Sequence, residues 1–584
     1  MRFSSLKRSF GFLLPALLLS ALFSANITAQ PKSLYVGING SDLNSGLSLD
    51  RPLHTINLAI EKASAGDTIF ILPGLYRQAV YSKGKKGLPE NSIIISGYSN
   101  KEEDYPVIDA GTLIPSMNTK DSWIRIESSE WIGFAKIKFQ NGWPFPVKIS
   151  NSSYISFYKC LFFGAKRVIS AEGLSTHHIL VENCFWDQGG EPLWKIRQDT
   201  KGIDAWTSMH HGDMQYFNGS LIDFSGTGGS IVIRGNKITH AFNAIRFRGQ
   251  KGCDSNVEIY DNDVSYVRDN DFEPEYYTFN LHIYHNRSHN VHRTLSIDNV
   301  EGGNIYYYGN TVTSDTAAWT KFICKSYWKI YGSERLLSYP VYAFNNSFYG
   351  VEKAFTPFQG KLQLLRHFNN AYYFLQSDGW ALNKWDETNE FDYDVLNSPW
   401  TKAILDNKQE LHGKIADVKF RDPENGDLRL SASSSAIDAG KPISIKEFDW
   451  VQSFEGEAPD AGAFEGDKPA EGPPYRFLAP PEGNLTYMER PRIVRHKIKD
   501  NFLILWFSEA LDPLTVNENS VSVFSGQNKL AISNVYMRLN NYEMIIETPS
   551  VVPTEDVSFC FNSLPKGLNG ETLTYWSSSI HIKK

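Results

Sequence analysis

The chain is poor in cysteine, in net charge and in membrane-length apolar runs, and each shortage removes a class of protein. Five cysteines in 584 residues, with no CxxC pair and no zinc spacing, give no disulfide framework. A formal charge of −7 from 58 basic and 65 acidic residues lacks the polycation signature of a nucleic-acid binder. Beyond residue 30 no segment approaches the roughly 18 apolar residues of a membrane span, so no membrane insertion of a mature chain is expected. The one long apolar run, FGFLLPALLLSALFSA, follows Arg2, Lys7 and Arg8 and is followed by the small residue Ala29. That pattern predicts an export signal over residues 1–29. No cysteine follows the run to carry a lipid, so the expectation is a soluble exported protein, periplasmic or extracellular, and monomeric.

What is abundant is repetition. Asn183, Asn236, Asn262, Asn286, Asn310, Asn346 and Asn370 each close a short β-rich phrase (VENCF, RGNKI, YDNDV, YHNRS, YGNTV, FNNSF, FNNAY), mostly 24 or 26 residues apart. A period of this length with strand-type residues on both sides of the marker predicts a solenoid whose coils bury their apolar faces on one another. Asparagine suits its turn because it tolerates the left-handed backbone region and its amide can bond to neighbouring turns. Cys160 and Cys184 lie one period apart in YKCLFF and ENCFWD, which predicts stacked interior thiols. Aromatics form 14% of the chain; they stiffen strands and also stack on sugar faces.

Near the N-terminus the chain reads LYVGINGSDLNSGLSLDRPLHTINLAIEKASAGDTIFILPGLYRQAV, then NSIIISGY and PVIDAG. This stretch resembles the cap and first coils of secreted right-handed parallel β-helix proteins, including polysaccharide lyases of the chondroitinase B and β-helical alginate and pectate lyase types. FRDPENGDLRLSASSSAIDAG and PDAGAFEGD resemble the closing segment of the same group. The resemblance implies an all-β, right-handed parallel β-helix over residues 32–466, with the helix TINLAIEKA plugging its open end. Beyond it, 467–483 reads as a Pro/Gly-rich linker. The alternating runs within 484–584 predict a small β-sandwich similar to bacterial Ig-like modules.

Chemistry is expected where outward side chains of successive coils align. In a strand alternate residues share a face. Taking Ile245, Phe247, Phe272, Leu295, Ile297, Phe322 and Cys324 as interior turns out Arg246 and Arg248; Asp271, Glu273 and Glu275; Ser296 and Asp298; Lys321 and Lys325. The excursion between Asn183 and Asn236, with Trp194, Trp206, His211, Asp213 and Gln215, and the boundary carrying His289, His292 and Arg293, are candidate walls.

One mechanism uses every sign in this patch. Elimination across a uronate needs its carboxylate neutralised, its C5 proton removed and the leaving oxygen stabilised. The resembled lyases use lysine and arginine beside a carboxylate-bound Ca²⁺. Here Lys321 or Lys325 is the candidate base, Arg246 or Arg248 the clamp, and Asp271, Glu273, Glu275 and Asp298 the Ca²⁺ or orienting ligands. His211 joins the catalytic candidates, and Asp213, Ser296, His292, Arg293 and Lys325 the substrate contacts. In those lyases the base precedes the arginine along the chain; here the order is reversed. The expected substrate is an acidic polysaccharide or oligosaccharide, with no organic cofactor. Two readings compete: glycoside hydrolysis by paired carboxylates, and glycan binding alone on the stripe Tyr260, Tyr284, Tyr308 and Phe344.

Overall fold

The computed structural model describes residues 30–582 except 89–90, 112–121, 190–208, 210–213, 250–253, 277–278, 298–302, 316–325, 331–339, 358–362, 376–378, 381, 446–449, 474–490, 492, 508–510, 527, 539–540, 542, 550–556, 568–571 and 574–578. Among the described residues the chain winds into a parallel β-helix. Its first sheet has 13 strands, from Ser33–Val36 to Glu390–Asp392. The second has 13, from Leu75–Tyr76 to Lys414–Ile415, and the third has 10, from Val80–Lys83 to Phe355–Pro357. Every pairing among the described strands of these sheets is parallel, and apart from a shift between Tyr349 and Val351 in register, so side chains stack in columns, one per coil. One continuous core of isoleucine, valine, leucine and phenylalanine fills the tube.

The repeat is set by a two-residue corner between the first and second sheets. Its first residue takes the left-handed conformation in successive coils: Asn183, Gly235, Asp261, His285, Gly309, Asn345, Asn369 and Tyr393, with φ from 50° to 64°. Its second residue points inward and forms the ladder. The Oδ1 of each ladder asparagine accepts from the backbone N–H of the equivalent residue one coil earlier, from Cys184→Asn236 through Asn262, Asn286, Asn310 and Asn346 to Asn370, at 2.9 to 3.1 Å. Asp394 ends the run, accepting from Asn370 at 2.8 Å. The left-handed residue is thus the neighbour of the ladder asparagine rather than the asparagine itself, and Asn183 lies one position off the ladder. Cys184 occupies that column, with Cys160 before it, as free buried thiols. These ladders satisfy interior N–H groups that would otherwise be orphaned.

The first coil is covered by the helix that the resemblance implied, and the closing segment packs on an outer face. Helix α1, Ile56–Lys62, places Ile56, Ala59 and Ile60 on the core at the open first coil. At the other end the hairpin of Phe420–Asp422 and Asp427–Leu430 folds back over the second sheet, seating Phe420, Leu428 and Leu430 on Ala371 and Val395. The Pro/Gly-rich stretch does not leave the helix at residue 467: Lys468–Pro469 pairs with Phe464–Glu465, and the Ala470 carbonyl lies 3.0 Å from His285 Nε2. From Ile493 to Ile582 two four-stranded antiparallel sheets share a separate core built on Leu503, Leu505, Val521, Val523, Val557 and Phe559, a β-sandwich. Residues 1–29 lie outside the described residues.

Candidate active site

The third sheet carries the charged columns. Its strands Ile169–Glu172, Ile222–Ser225, Ile245–Gly249 and Asn270–Tyr276 pair with Ile169, Ile222, Ile245 and Phe272 in one inward column. That register aligns Ser170, Asp223, Arg246 and Glu273 on the outer face, and Arg248 with Glu275 two residues on. Ile245, Phe247, Phe272, Leu295 and Ile297 are core residues, so the expected alternation holds for these strands.

The outward groups form a partly sunken ion lattice. Asp223, buried, is gripped by Arg167 Nε at 2.9 Å, by Arg248 Nε at 2.9 Å and by Arg248 Nη2. Arg246 bridges both glutamates, Nε to Glu273 Oε2 and Nη2 to Glu275 Oε2, each at 2.9 Å. Asn270 Nδ2 donates to the other Glu273 oxygen at 3.0 Å. Downstream, Arg293 lies 3.5 Å from Asp269 and donates to His292 Nδ1 at 2.9 Å; it also feels the Glu273 charge. Burial lowers the pKa of Arg293, and that of Arg268 to about 10. The Arg246 pKa is pushed the other way: burial alone would lower it, and the charges of Glu273 and Glu275 override burial.

Upstream of this lattice stands Lys166, three residues before the third-sheet strand that begins at Ile169. Burial, reinforced by Arg167, Arg246 and Arg248, lowers its pKa to about 8, against the opposing pull of Asp223. Burial among like charges disfavours the protonated form of a lysine. Neither Lys166, Arg167 nor Asp223 was among the sequence candidates. The signals were present: a basic pair shortly before a strand in GAKRVIS, and a lone acid between apolar neighbours in LIDFS.

Other candidates land differently. Asp271 is not outward. It sits one residue before Phe272, the position held by Ala244, Leu221 and Val168 in earlier coils, all core residues. At this corner two successive residues point inward, so period-two counting fails by one step. Asp271 is fully buried beside Ser288, and desolvation raises its pKa well above the carboxylate range. It therefore belongs to neither a catalytic nor a metal set on this face. Glu273 is only 3% exposed, against 27% for the Arg248 side chain and 24% for Arg167, so Glu273 is a support rather than the group most open to a ligand. Ser296 is fully covered and His292 buried; neither offers a surface contact. Lys321, Lys325, Asp298, His211 and Asp213 lie outside the described residues.

Of the residues anticipated as calcium ligands, Glu273 and Glu275 are both paired with one guanidinium, Arg246. The aromatic stripe is not a sugar platform. Tyr260, Tyr284, Tyr308 and Phe344 stack ring on ring at 4.8, 5.1 and 5.2 Å, and are buried in a cluster with Ile443 and Ile445.

No protein-family model matches the chain. It is similar to the uncharacterized protein YwoF of Bacillus subtilis (strain 168), 39% identical over 95 residues, 14% of this chain and 20% of that protein, so the match spans about a fifth of that relative. Among solved structures it is similar to a rhamnogalacturonan lyase (15% identity, TM-score 0.39, 58% of this chain and 87% of that one). It is also similar to pectate lyase Pel9A (15%, 0.36, 75% and 97%) and to an exopolygalacturonase from Thermotoga maritima (11%, 0.31, 52% and 78%).

Proposed function

We propose that this protein is an exported enzyme that cleaves a uronate-containing glycan by β-elimination on the outer face of the third sheet. The observation that carries the reading is the convergence of Arg167 and Arg248, the more exposed cations of the lattice, on buried Asp223, beside Lys166, itself 7% exposed, whose pKa is lowered to about 8. A guanidinium has five N–H donors, and Arg167 and Arg248 spend only part of theirs on Asp223 while reaching the surface. They are placed to receive the uronate carboxylate, whose neutralisation acidifies C5–H. Unprotonated Lys166 takes that proton. The C5–H electron pair becomes the C4–C5 double bond, the C4–O bond breaks, and the leaving oxygen takes a proton from water. Asp223 fixes the two clamp arginines, and Glu273 and Glu275 fix Arg246.

The same lattice argues against hydrolysis. A glycosidase needs one carboxylic acid to protonate the leaving oxygen and a second carboxylate opposite it, whereas Asp223 and Glu275 accept from guanidinium groups and Glu273 is ion-paired with one. Binding alone loses its support with the burial of the tyrosine stripe.

The test is incubation with a panel of polyuronates and mixed acidic glycans, followed by ultraviolet and mass detection. Unsaturated products that disappear in Lys166→Met are expected. Saturated reducing ends would instead establish hydrolysis, and no product from any glycan would leave binding. Because Arg246 replaces a cation in this reading, chelator treatment should leave turnover and melting temperature unchanged; loss of either would return calcium to the site.

A further inference from the structure

A second groove lies on a different face of the same coils. The outer columns of the second sheet run Lys237, Asp263, Arg287, Thr311 and, alongside, Ser265, His289, Thr313, in parallel register. Further along, the closing hairpin covers this face with an apolar seat on Tyr349, Tyr373, Ala371 and Val395. Where the columns emerge from under the hairpin they turn polar. The turn Pro423–Asn425, held by the Glu424 carboxylate accepting from Tyr349 Oη at 2.8 Å, overhangs them. The step forms one side of an open groove of about 320 Å³, within the range of about 300–1,000 Å³ usual for small-ligand sites.

Its walls are rigid and mixed in charge. Tyr266 lies parallel to His240 at 5.2 Å and edge-on to His289 at 5.7 Å. His289 is fixed by Thr313 at 2.9 Å and by Asp315 at 3.6 Å, and Asp315 is held in turn by Asn290 at 2.8 Å. Two cations, Lys237 and Arg287, face three carboxylates, Asp263, Asp315 and Glu424. This groove therefore lacks the basic surplus of the third-sheet face and has no preference for a polyanion. Alternating charged donors and acceptors beside hydroxyls and an aromatic ring suit sugar hydroxyls and ring faces.

We propose that this groove is a secondary binding site for a neutral saccharide segment, a side branch or neutral stretch of the glycan processed on the third-sheet face. The proposal rests on the reading of this protein as glycan-active, but its test does not pass through catalysis. Electrophoresis of the full-length protein through gels containing soluble galactan, arabinan, xylan, glucan or polyuronate reports binding directly. Retardation by at least one neutral polysaccharide is expected. Arg287→Ala and Asp263→Ala, both exposed, should weaken it about tenfold while turnover on a short acidic oligosaccharide stays at the parent level. No retardation by any neutral polysaccharide, or retardation that both variants retain, overturns the proposal, as does retardation by polyuronate alone. Neutral-glycan retardation lost in these variants, in a protein that cleaves nothing, would keep the groove and sink the enzymatic reading instead.

Discussion

The outer faces of the first and third sheets rise from the same coils and the same parallel backbone, yet one is closed and the other is charged. On the first sheet, Tyr260, Tyr284, Tyr308 and Phe344 stack into a column and are buried with Ile443 and Ile445. Even the buried Glu258 there is satisfied, accepting from Tyr284 Oη at 3.1 Å. On the third sheet the equivalent columns hold Asp223, Arg246, Arg248, Glu273 and Glu275. Burying aromatics is favourable area by area. Sinking ions costs desolvation that their mutual attraction at best offsets, so a lattice of partly buried charge is not how a solenoid is stabilised most cheaply. The difference teaches that the coil supplies positions only, and that the costly face is the one to read for chemistry.

The comparison can be broken from either side. The largest effect is expected at the charged face: Lys166→Met should cut turnover by about 10²- to 10⁴-fold without lowering the melting temperature. Its sign with pH is specific. The folded-state pKa, about 8, lies below the ordinary lysine value, so the unfolded chain binds more protons between the two. The penalty is full below about pH 8 and fades as pH rises toward about 10.4. The thermal gain of Lys166→Met should thus be greatest at neutral pH and absent in strong base; a loss of stability at neutral pH would mean that the lysine is a structural partner.

Next comes the closed face. Tyr308→Ala should destabilise by about 3–5 kcal/mol, as large aromatic truncations in cores do, with kcat at low temperature unchanged. An unaltered denaturant midpoint would show that the stack is not sealed. Smaller is Glu273→Gln, which leaves the buried Arg246 with one carboxylate and should cost about 1–3 kcal/mol, so activity and melting temperature fall together. If turnover fell with stability intact, Glu273 would touch substrate after all. Smallest is the pH shift in Arg248→Met, a variant whose lost clamp guanidinium should itself lower kcat/KM by about 10²-fold or more. Removing one of the cations that depress Lys166 should move the rise of kcat/KM with pH upward from about 8, by about one unit or less; an unshifted profile would assign that rise to another group.

Much of the scaffold was legible because it depends on local periodicity. The asparagine spacing and the inward set from Ile245 to Ile297 follow from repeat length and strand alternation, while the capping helix at TINLAIEKA came from the family resemblance. The errors came where geometry departs from that period. Asp271 sits at a corner with two consecutive inward residues, and Asn183 sits one step off the ladder, in the left-handed position its neighbours give to Gly235 or Asp261. Arg246 and Arg248 were found, but Lys166, Arg167 and Asp223 were not. Lys166 and Arg167 precede the excursion between Asn183 and Asn236 and Asp223 lies within it, and only register brings them beside Arg246.

By itself the sequence determined that this chain stacks: a fixed spacing of ladder residues and an apolar alternation leave a coil no other way to bury its inner face and pair its backbone. Which outward residues share a column, which of them are covered, and how far a lysine is desolvated among arginines were decided only by the tertiary structure. Those quantities depend on the register between coils and on segments remote in the chain that close over one face and leave another open.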